Sequence, residues 1–241
     1  LNLTETNFAA LVAVLEWLKE HSIEGLRPRQ LPIRGVDSKW FGEHRDLVEK
    51  LHAAYSGGAE LGVVDAKKLI RLRILDPALS VGGLTDFACL REELATLSIR
   101  PSAVFIVENL ESLLAMPEWP AAVVIHGSGY AVSVLGEIPW LKGADVIYWG
   151  DLDADGFAIL HVLRSHLPSV TSVLMDEGTL LEHRDLWVAD PSPRMRELST
   201  LTTEEQSTLE RLRQEGNVRL EQERIPWEVA LEKLRKATLT S

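Results

Sequence analysis

Apolar positions along this chain are spaced in two ways. Up to about residue 98 they are scattered and periodic, and from residue 103 they condense into short unbroken runs. Phe8, Leu11, Val12, Leu15 and Leu18 recur at helical spacing and predict an amphipathic helix over 8–18, with Asn7 as its cap. The stretch bearing Arg27, Pro28, Arg29, Pro32 and Arg34 predicts a loop or extended arm. A second helix is predicted over 40–54, broken by Gly57 and Gly58. Over 67–76 the period shortens to two: Ile70, Leu72 and Ile74 share one side of a strand, Arg71 and Arg73 the other, and Pro77 ends it. A helix over 86–97 then leads to Pro101.

The runs at 103–107, 121–125, 144–149 and 170–175 have the continuous apolar character of strands buried on both faces. Helices fit between them: 109–116, a segment from the Gly127-Ser128-Gly129 turn toward Leu135, and 157–167. Strands alternating with helices predict an α/β fold, a mostly parallel sheet with flanking helices. Beyond Pro193 two more helices fit 203–215 and 227–237. The change of pattern predicts an N-terminal module over 1–98, an α/β domain over 99–190 and a helical extension over 191–241.

Of the 241 residues, 46% are hydrophobic and 25% charged, values of a globular chain rather than a disordered one. The formal charge, 25 minus 36 or -11, argues against coating nucleic acid or a membrane surface by charge alone. An acidic protein still acts on DNA locally where a metal offsets its carboxylates. The single cysteine, Cys89, excludes an internal disulfide and a multi-cysteine zinc site, and reads as core packing. No apolar run reaches the length of a membrane span, and the N-terminus lacks the plan of a signal peptide. The expectation is a cytoplasmic protein without membrane contact; its start at Leu1 rather than Met predicts a piece of a longer chain.

In open α/β sheets, ligands bind outside the carboxyl ends of the strands. Three predicted strand ends carry unusual chemistry: Glu108, the Gly127-Ser128-Gly129 turn, and Asp151, Asp153 and Asp155 at alternate positions between Gly150 and Gly156. Crowded carboxylates raise one another's pKa, and a hard cation with oxygen ligands relieves that repulsion. Such an ion orients a phosphodiester, activates a water and stabilises the leaving oxygen. A calcium-binding EF-hand loop opens the same way but needs Glu at its twelfth position, which here is Val162. The aspartates also suit a helix cap, Asp155 best, and Glu108 alone suits a helix start. Two basic groups, Arg27, Arg29, Arg34 and Lys39, and Lys67, Lys68, Arg71 and Arg73, are candidate phosphate contacts or ordinary solvated charges. Arg71 and Arg73, on one strand face, lead among them, and Arg34 and Lys39 follow. His126 reads as a phosphate contact or a structural histidine, and Glu221 with Glu223 as an outer metal shell or a surface acidic pair.

The set of motifs is recognisable. Glu after a first buried strand, a glycine turn after the second and D-x-D after the third is the pattern of Toprim domains. Arg34 to Trp40, Leu75-Asp76-Pro77, Val107-Glu108-Asn109, Gly127 to Tyr130, Trp149 to Phe157, Leu174-Met175-Asp176 and Leu220-Glu221-Gln222-Glu223 resemble the JetD (MksG) nuclease subunits of Wadjet plasmid-defence systems. The resemblance covers roughly 30–235. It implies a winged-helix-like module followed by a Toprim domain, similar to the A subunit of topoisomerase VI, usually as a homodimer. It implies an Mg²⁺- or Mn²⁺-dependent endonuclease cutting invading circular plasmid DNA beside an SMC-like ATPase with kleisin and accessory subunits. Glu108, Asp151 and Asp153 would be the catalytic metal ligands, with Asp155 a further one. The topoisomerase relatives cut with a tyrosine in the winged-helix module. Here Tyr130 and Tyr148 lie within the Toprim region, and Tyr55, beside Gly57-Gly58, stands in no recognised motif and reads as a helix-end packing residue, so hydrolysis by water is expected. Two alternatives stay open: a non-catalytic scaffold binding DNA or the ATPase, against which the acidic set argues, and an RNA-acting Toprim enzyme, against which the upstream motifs argue.

Overall fold

A computed structural model describes residues 3–127, 129–190 and 197–239. Two units divide at Lys67 and Lys68. In the N-terminal unit, helices α1 (Glu5–Glu20) and α2 (Ser38–Ser56) share a core of Leu11, Val14, Leu18, Ile23, Phe41, Val48 and Leu61. Thr4, not Asn7, caps α1: its hydroxyl accepts from Asn7 N at 3.2 Å. Asn7 lies inside the helix and accepts from Trp40 Nε1 at 3.1 Å. The buried stripe of α1 runs through Leu11, Val14 and Leu18, and Phe8, expected inward, is 58% exposed. Asp37 caps α2 by accepting from Trp40 N at 2.7 Å, and Gly57 ends it at φ 76°. Among the described residues this unit has no strand.

The second unit is built on a six-stranded sheet of order β2-β1-β4-β3-β5-β6. Its strands are β1 (Ile70–Ile74), β2 (Asp86–Cys89), β3 (Ala103–Val107), β4 (Ala122–His126), β5 (Asp145–Trp149) and β6 (Thr171–Ser172). Strands β4, β3, β5 and β6 run parallel; β1 is antiparallel to both β4 and β2. As predicted, β1 buries Ile70, Leu72 and Ile74 and turns Arg71 and Arg73 to the other face, while β3 is buried at every position.

Four expectations change. The helix predicted over 86–97 is strand β2 followed by the single short helix α3 (Arg91–Ala95). Asp86 to Cys89 alternates exposed and half-buried, and it covers the edge of β1, which would otherwise present unpaired backbone groups. Cys89 packs half-buried against the core. The division falls at Lys67 rather than near residues 98–102, because β1 is hydrogen-bonded to β4 and belongs to the same sheet. The change of pattern at 98–102 therefore marks the switch from antiparallel to parallel pairing. Of the extension expected over 191–241, the described residues 197–239 join the sheet unit: helices α8 (Thr203–Gln214) and α9 (Trp227–Leu239) put Leu209, Leu212, Ala230 and Leu234 into its core. Strand β6 is also shorter than 170–175, since Leu174 at φ 61° turns the chain away.

Helices α4 (Leu110–Ala115), α5 (Tyr130–Leu135), α6 (Ala154–His166) and α7 (Glu177–Glu182) complete the connections, and β7 (Val188–Ala189) pairs with β8 (Val218–Arg219) in a small ribbon. Asp76, of the Leu75-Asp76-Pro77 motif, accepts from Ala121 N at 2.6 Å and from Ala78 N at 2.9 Å. These bonds pin the end of β1 to the start of β4 and hold the carboxyl below the usual range. Among the described residues no helix is long and apolar enough to cross a membrane.

Arg164 on α6 and Glu205 on α8 form an ion pair with side chains 9% and 5% exposed, Nη2 to Oε1 at 2.8 Å. Arg164 also donates to the carbonyls of Val170 (2.9 Å) and Thr200 (3.2 Å), and Glu205 accepts from Ser172 Oγ at 2.5 Å and Thr202 N at 2.8 Å. Burial alone would raise the Glu205 pKa, but these donors outweigh it and hold the carboxyl low. Removing one partner of such a pair leaves a buried charge uncompensated, so Glu205→Ala should cost about 3–5 kcal/mol at neutral pH in denaturant unfolding. A depressed carboxyl stabilises above its unfolded pKa and loses that contribution as pH falls through its folded one. The difference from wild type should therefore shrink below about pH 4; a constant difference would contradict the pairing.

Candidate metal centre

Strands β3 and β5 pair in parallel with Val107 opposite Trp149, so the next residues, Glu108 and Gly150-Asp151, emerge side by side at the carboxyl edge of the sheet. Glu108 Oε1 accepts from Asp151 N at 3.3 Å and from the hydroxyl of Tyr148. Tyr148 is fully buried on β5, and its hydroxyl also lies 3.1 Å from the carbonyl of Gly156. The glycines follow from this crowding. A Cβ at Gly150 would strike both the Glu108 carboxylate and the Tyr148 ring, and one at Gly156 would strike the Asp151 carbonyl.

Asp151 Oδ1 accepts from Gln222 N at 2.6 Å. Asp153 is the cap of α6, accepting from Gly156 N at 2.7 Å. The capping role expected of Asp155 thus belongs to Asp153, because α6 begins at Ala154, leaving Asp155 in the first turn beside the groove of Gly129, Val132 and Ile159. These bonds use Glu108 Oε1, Asp151 Oδ1 and Asp153 Oδ1; the second oxygen of each acid takes no part in them.

Three nearby acids titrate abnormally. Burial pushes Glu108 up to about 8; the Tyr148 bond opposes this, and the charges of Asp151 and Asp153 add to it. Asp151 is pushed up to about 6 by burial, against the Gln222 bond, with Asp153 and Glu221 adding and Arg219 opposing. Asp153 is raised for the same first reason. Among the described residues, no three His, Cys, Asp or Glu side chains stand arranged to enclose an ion. The donor set is nevertheless all oxygen, each acid is oriented through one oxygen, and burial, with mutual repulsion added to it, raises their pKa values, which fits a hard divalent cation.

Leu220, Gln222 and Asn109, which stand in the sequence as parts of motifs without a role of their own, build this edge. Leu220 bridges Leu152 through two backbone bonds, Leu152 N to Leu220 O (2.9 Å) and the reverse (3.1 Å), which lays 219–224 against the D-x-D segment. Gln222, 1% exposed, donates its backbone N–H to Asp151 Oδ1 at 2.6 Å, and its side-chain Oε1 accepts from Asn109 N at 2.8 Å. Asn109 caps α4 through Ser112 N (2.9 Å) and donates to Glu223 at 3.0 Å. Glu221 pairs with Arg219 at 2.5 Å. The run Leu220 to Glu223 was legible as a motif, but its acids drew attention where its glutamine makes the closest contact.

The remaining candidates are placed differently. His126 Nε2 lies 2.8 Å from the Glu108 carbonyl, the structural role. Arg71 is paired with Asp86 at 3.1 and 2.9 Å. Arg73 donates to Leu113 O at 3.3 Å and to Leu114 O, closing the end of α4. The two arginines expected to lead in holding DNA are thus engaged within the protein. Arg34 and Lys39 are exposed on the N-terminal unit. Tyr55, in that unit, is 44% exposed with its ring edge on His52. Ser128 and the Tyr130 side chain lie outside what the structure describes.

An acid whose pKa is raised in the folded state makes the native protein bind more protons than the unfolded chain, so stability falls as pH rises between the two values. For Glu108 the window runs from about 4.5, the ordinary value, to about 8. The Tm in chelator should therefore fall from pH 5 to pH 8, and Glu108→Gln should flatten the fall. Each tenfold difference in acidity between the folded and unfolded states is worth about 1.4 kcal/mol, and each kcal/mol moves the Tm of a domain of this size by about 2–4 °C. An equal slope in the variant would show that Glu108 is not the group responsible.

No curated protein is similar enough to the chain to be matched with it. Two family models do match. One, described as an uncharacterized protein conserved in bacteria, N-terminal, matches residues 1–52. The other, described as Wadjet protein JetD, C-terminal, matches residues 62–234, which is more than half of the chain and takes in Glu108, the D-x-D segment and Gln222 alike. The two matches part close to where the structure divides, and the chain belongs to the JetD family of Wadjet proteins.

Proposed function

We propose that the sheet unit is a Toprim-type, divalent-metal-dependent endonuclease that hydrolyses double-stranded DNA, with invading circular plasmid as its target. The observation that carries this reading is the meeting of Glu108 and Asp151 on adjacent parallel strand ends, 3.3 Å apart from carboxylate to amide, each with a carboxylate oxygen to spare. Family membership supports the setting: a homodimer delivered to DNA by an SMC-like ATPase with kleisin and accessory subunits, in the cytoplasm. The two helices of the N-terminal unit are proposed as the helical part of a winged-helix-like module, with Arg34 and Lys39 as phosphate contacts.

Glu108, Asp151 and Asp153 would hold Mg²⁺ or Mn²⁺, with Asp155 as a further ligand in its first-turn position. Such an ion supplies Lewis-acid chemistry, neutralising the carboxylates and polarising the phosphodiester. The chain's own groups prepare for it. The Tyr148 hydroxyl orients Glu108, the Gln222 amide orients Asp151, and the Gly156 amide fixes Asp153. Tyr148 is buried with its hydroxyl engaged, so it does not suit a nucleophile, and hydrolysis by water leaves no covalent protein–DNA adduct. Glu108 must lose its proton as the cation binds, so binding and deprotonation are linked.

One observation favours a non-catalytic scaffold: the acids do not stand as a finished cage among the described residues. Mg²⁺ or Mn²⁺ should raise the Tm of the protein more at pH 8 than at pH 6, and should support cutting of supercoiled plasmid. Glu108→Gln and Asp151→Asn should lose the thermal shift and reduce cutting by at least about 100-fold, while Tyr55→Phe cuts as wild type; removing one essential group commonly costs that much. A normal metal-induced shift with no cutting would support the scaffold. Loss of cutting in Tyr55→Phe with a covalent adduct in wild type would replace hydrolysis by transesterification.

A further inference from the structure

We propose that Arg219 is the side chain through which this acidic edge grips a phosphate of the nucleic-acid backbone, and that Glu221 holds it until a phosphate takes its place. The inference rests on the nuclease reading of the same edge and names the residue that receives its substrate.

Two observations converge on Arg219. The first is position. It is the last residue of β8, immediately before Leu220, whose backbone pairs with Leu152 between Asp151 and Asp153. The second is availability. The side chain is 35% exposed; Nη2 pairs with Glu221 Oε1 at 2.5 Å, and its buried Nε has no hydrogen-bond partner among the described residues. A guanidinium carries five donors in a planar fork that matches two phosphate oxygens at once. Pairing with one carboxylate through Nη2 leaves most of that capacity unused.

The exchange is chemically balanced. Glu221 and a phosphate are both anions, so replacing one by the other never leaves the half-buried guanidinium unpaired, the costly outcome. Arg71 and Arg73, by contrast, are engaged by Asp86 and by the end of α4.

The test is binding of a 30-base-pair duplex and of the matching single strand, by anisotropy in Ca²⁺, as a function of salt. Arg219→Gln should weaken binding roughly tenfold, as loss of one charge-assisted contact does, and should lower the magnitude of the log–log salt slope by about 0.9 on the duplex. Arg219→Lys keeps the charge without the fork, so the slope should hold while affinity drops. Glu221→Gln should tighten binding, and that gain should vanish in the Arg219→Gln, Glu221→Gln double variant, because the carboxylate acts by competing for Arg219. An unchanged slope in Arg219→Gln, a Glu221→Gln gain that survives the loss of Arg219, or no binding of wild type to either probe would overturn the proposal. Should Arg219→Gln fail to fold by thermal melting, Arg219→Lys and Glu221→Gln carry the decision. Plasmid cutting by wild type is scored separately. A slope that falls without any cutting keeps the phosphate contact and sinks hydrolysis; cutting with an unaltered slope does the reverse.

Discussion

The register of β3 against β5 is the constraint on which the candidate site depends. Val107 opposite Trp149 brings Glu108 beside Asp151, and a slip of one residue would part the Glu108 carboxylate from the Asp151 amide and the Tyr148 hydroxyl. Apolar packing does not select that register strongly here. Both strands are buried almost throughout, so shifting one exchanges apolar residues for apolar residues. The selection falls instead on a few polar groups at the strand ends: the Tyr148 hydroxyl beneath, the Asp151 amide beside, and a glycine at 150 because any larger residue would push Glu108 away. Polar groups buried at this depth must be paired or they cost more than they contribute, which is how one tyrosine disciplines two apolar strands.

Burying acids at that edge, and crowding them there, is unfavourable, and both push up the pKa values of Glu108, Asp151 and Asp153, burial most. The C-terminal segment offsets part of the cost. Gln222 supplies an amide to Asp151 and links it to the cap of α4 through Asn109, while Arg219 contributes positive charge. Distant stretches of chain, 107–109, 149–156 and 219–224, thus form one polar network around the strand ends. The helices that carry the last of these into place are anchored elsewhere, by the buried Arg164–Glu205 pair between α6 and α8. Rigidity at the edge therefore rests partly on an ion pair that takes no part in it.

Much of the parallel core was legible because its signal is local. Runs such as 103–107 and 144–149 are apolar at every position or nearly so, and Glu108 and Asp151 directly follow two of them. The misreadings share a cause, which is that the deciding partner is distant. Asp86 to Cys89 has a pattern compatible with helix, and it becomes a strand because β1 offers an edge. Arg71 and Arg73 alternate correctly on their strand, yet nothing nearby in sequence announces Asp86 as the partner of one or the end of α4 as the acceptor of the other. Gln222 holds Asp151 through its backbone N–H, a bond that no side-chain pattern announces and that joins positions 71 apart in the chain.

Several cations of this protein are engaged by its own acids, and that bears on how an acidic chain could meet an anionic polymer. Arg71 with Asp86, Arg91 with Glu137, Arg164 with Glu205, Arg184 with Glu215 and Arg219 with Glu221 are all internal pairs. A formal charge of -11 disfavours long-range attraction to a phosphate backbone, and counterion release is confined to local cations such as Arg34 and Lys39 or to places where an internal pair opens. Under the proposed function the acidic edge repels its own substrate until the carboxylates are neutralised. The same cation that would serve the chemistry would then admit the DNA, so binding and catalysis become one event rather than two. A nuclease built this way has little affinity for DNA in passing, and its activity follows the local concentration at which DNA is presented to it. That is a physical reason for such a subunit to depend on a DNA-translocating partner for delivery, with the restraint on cutting residing in the charge of the site itself.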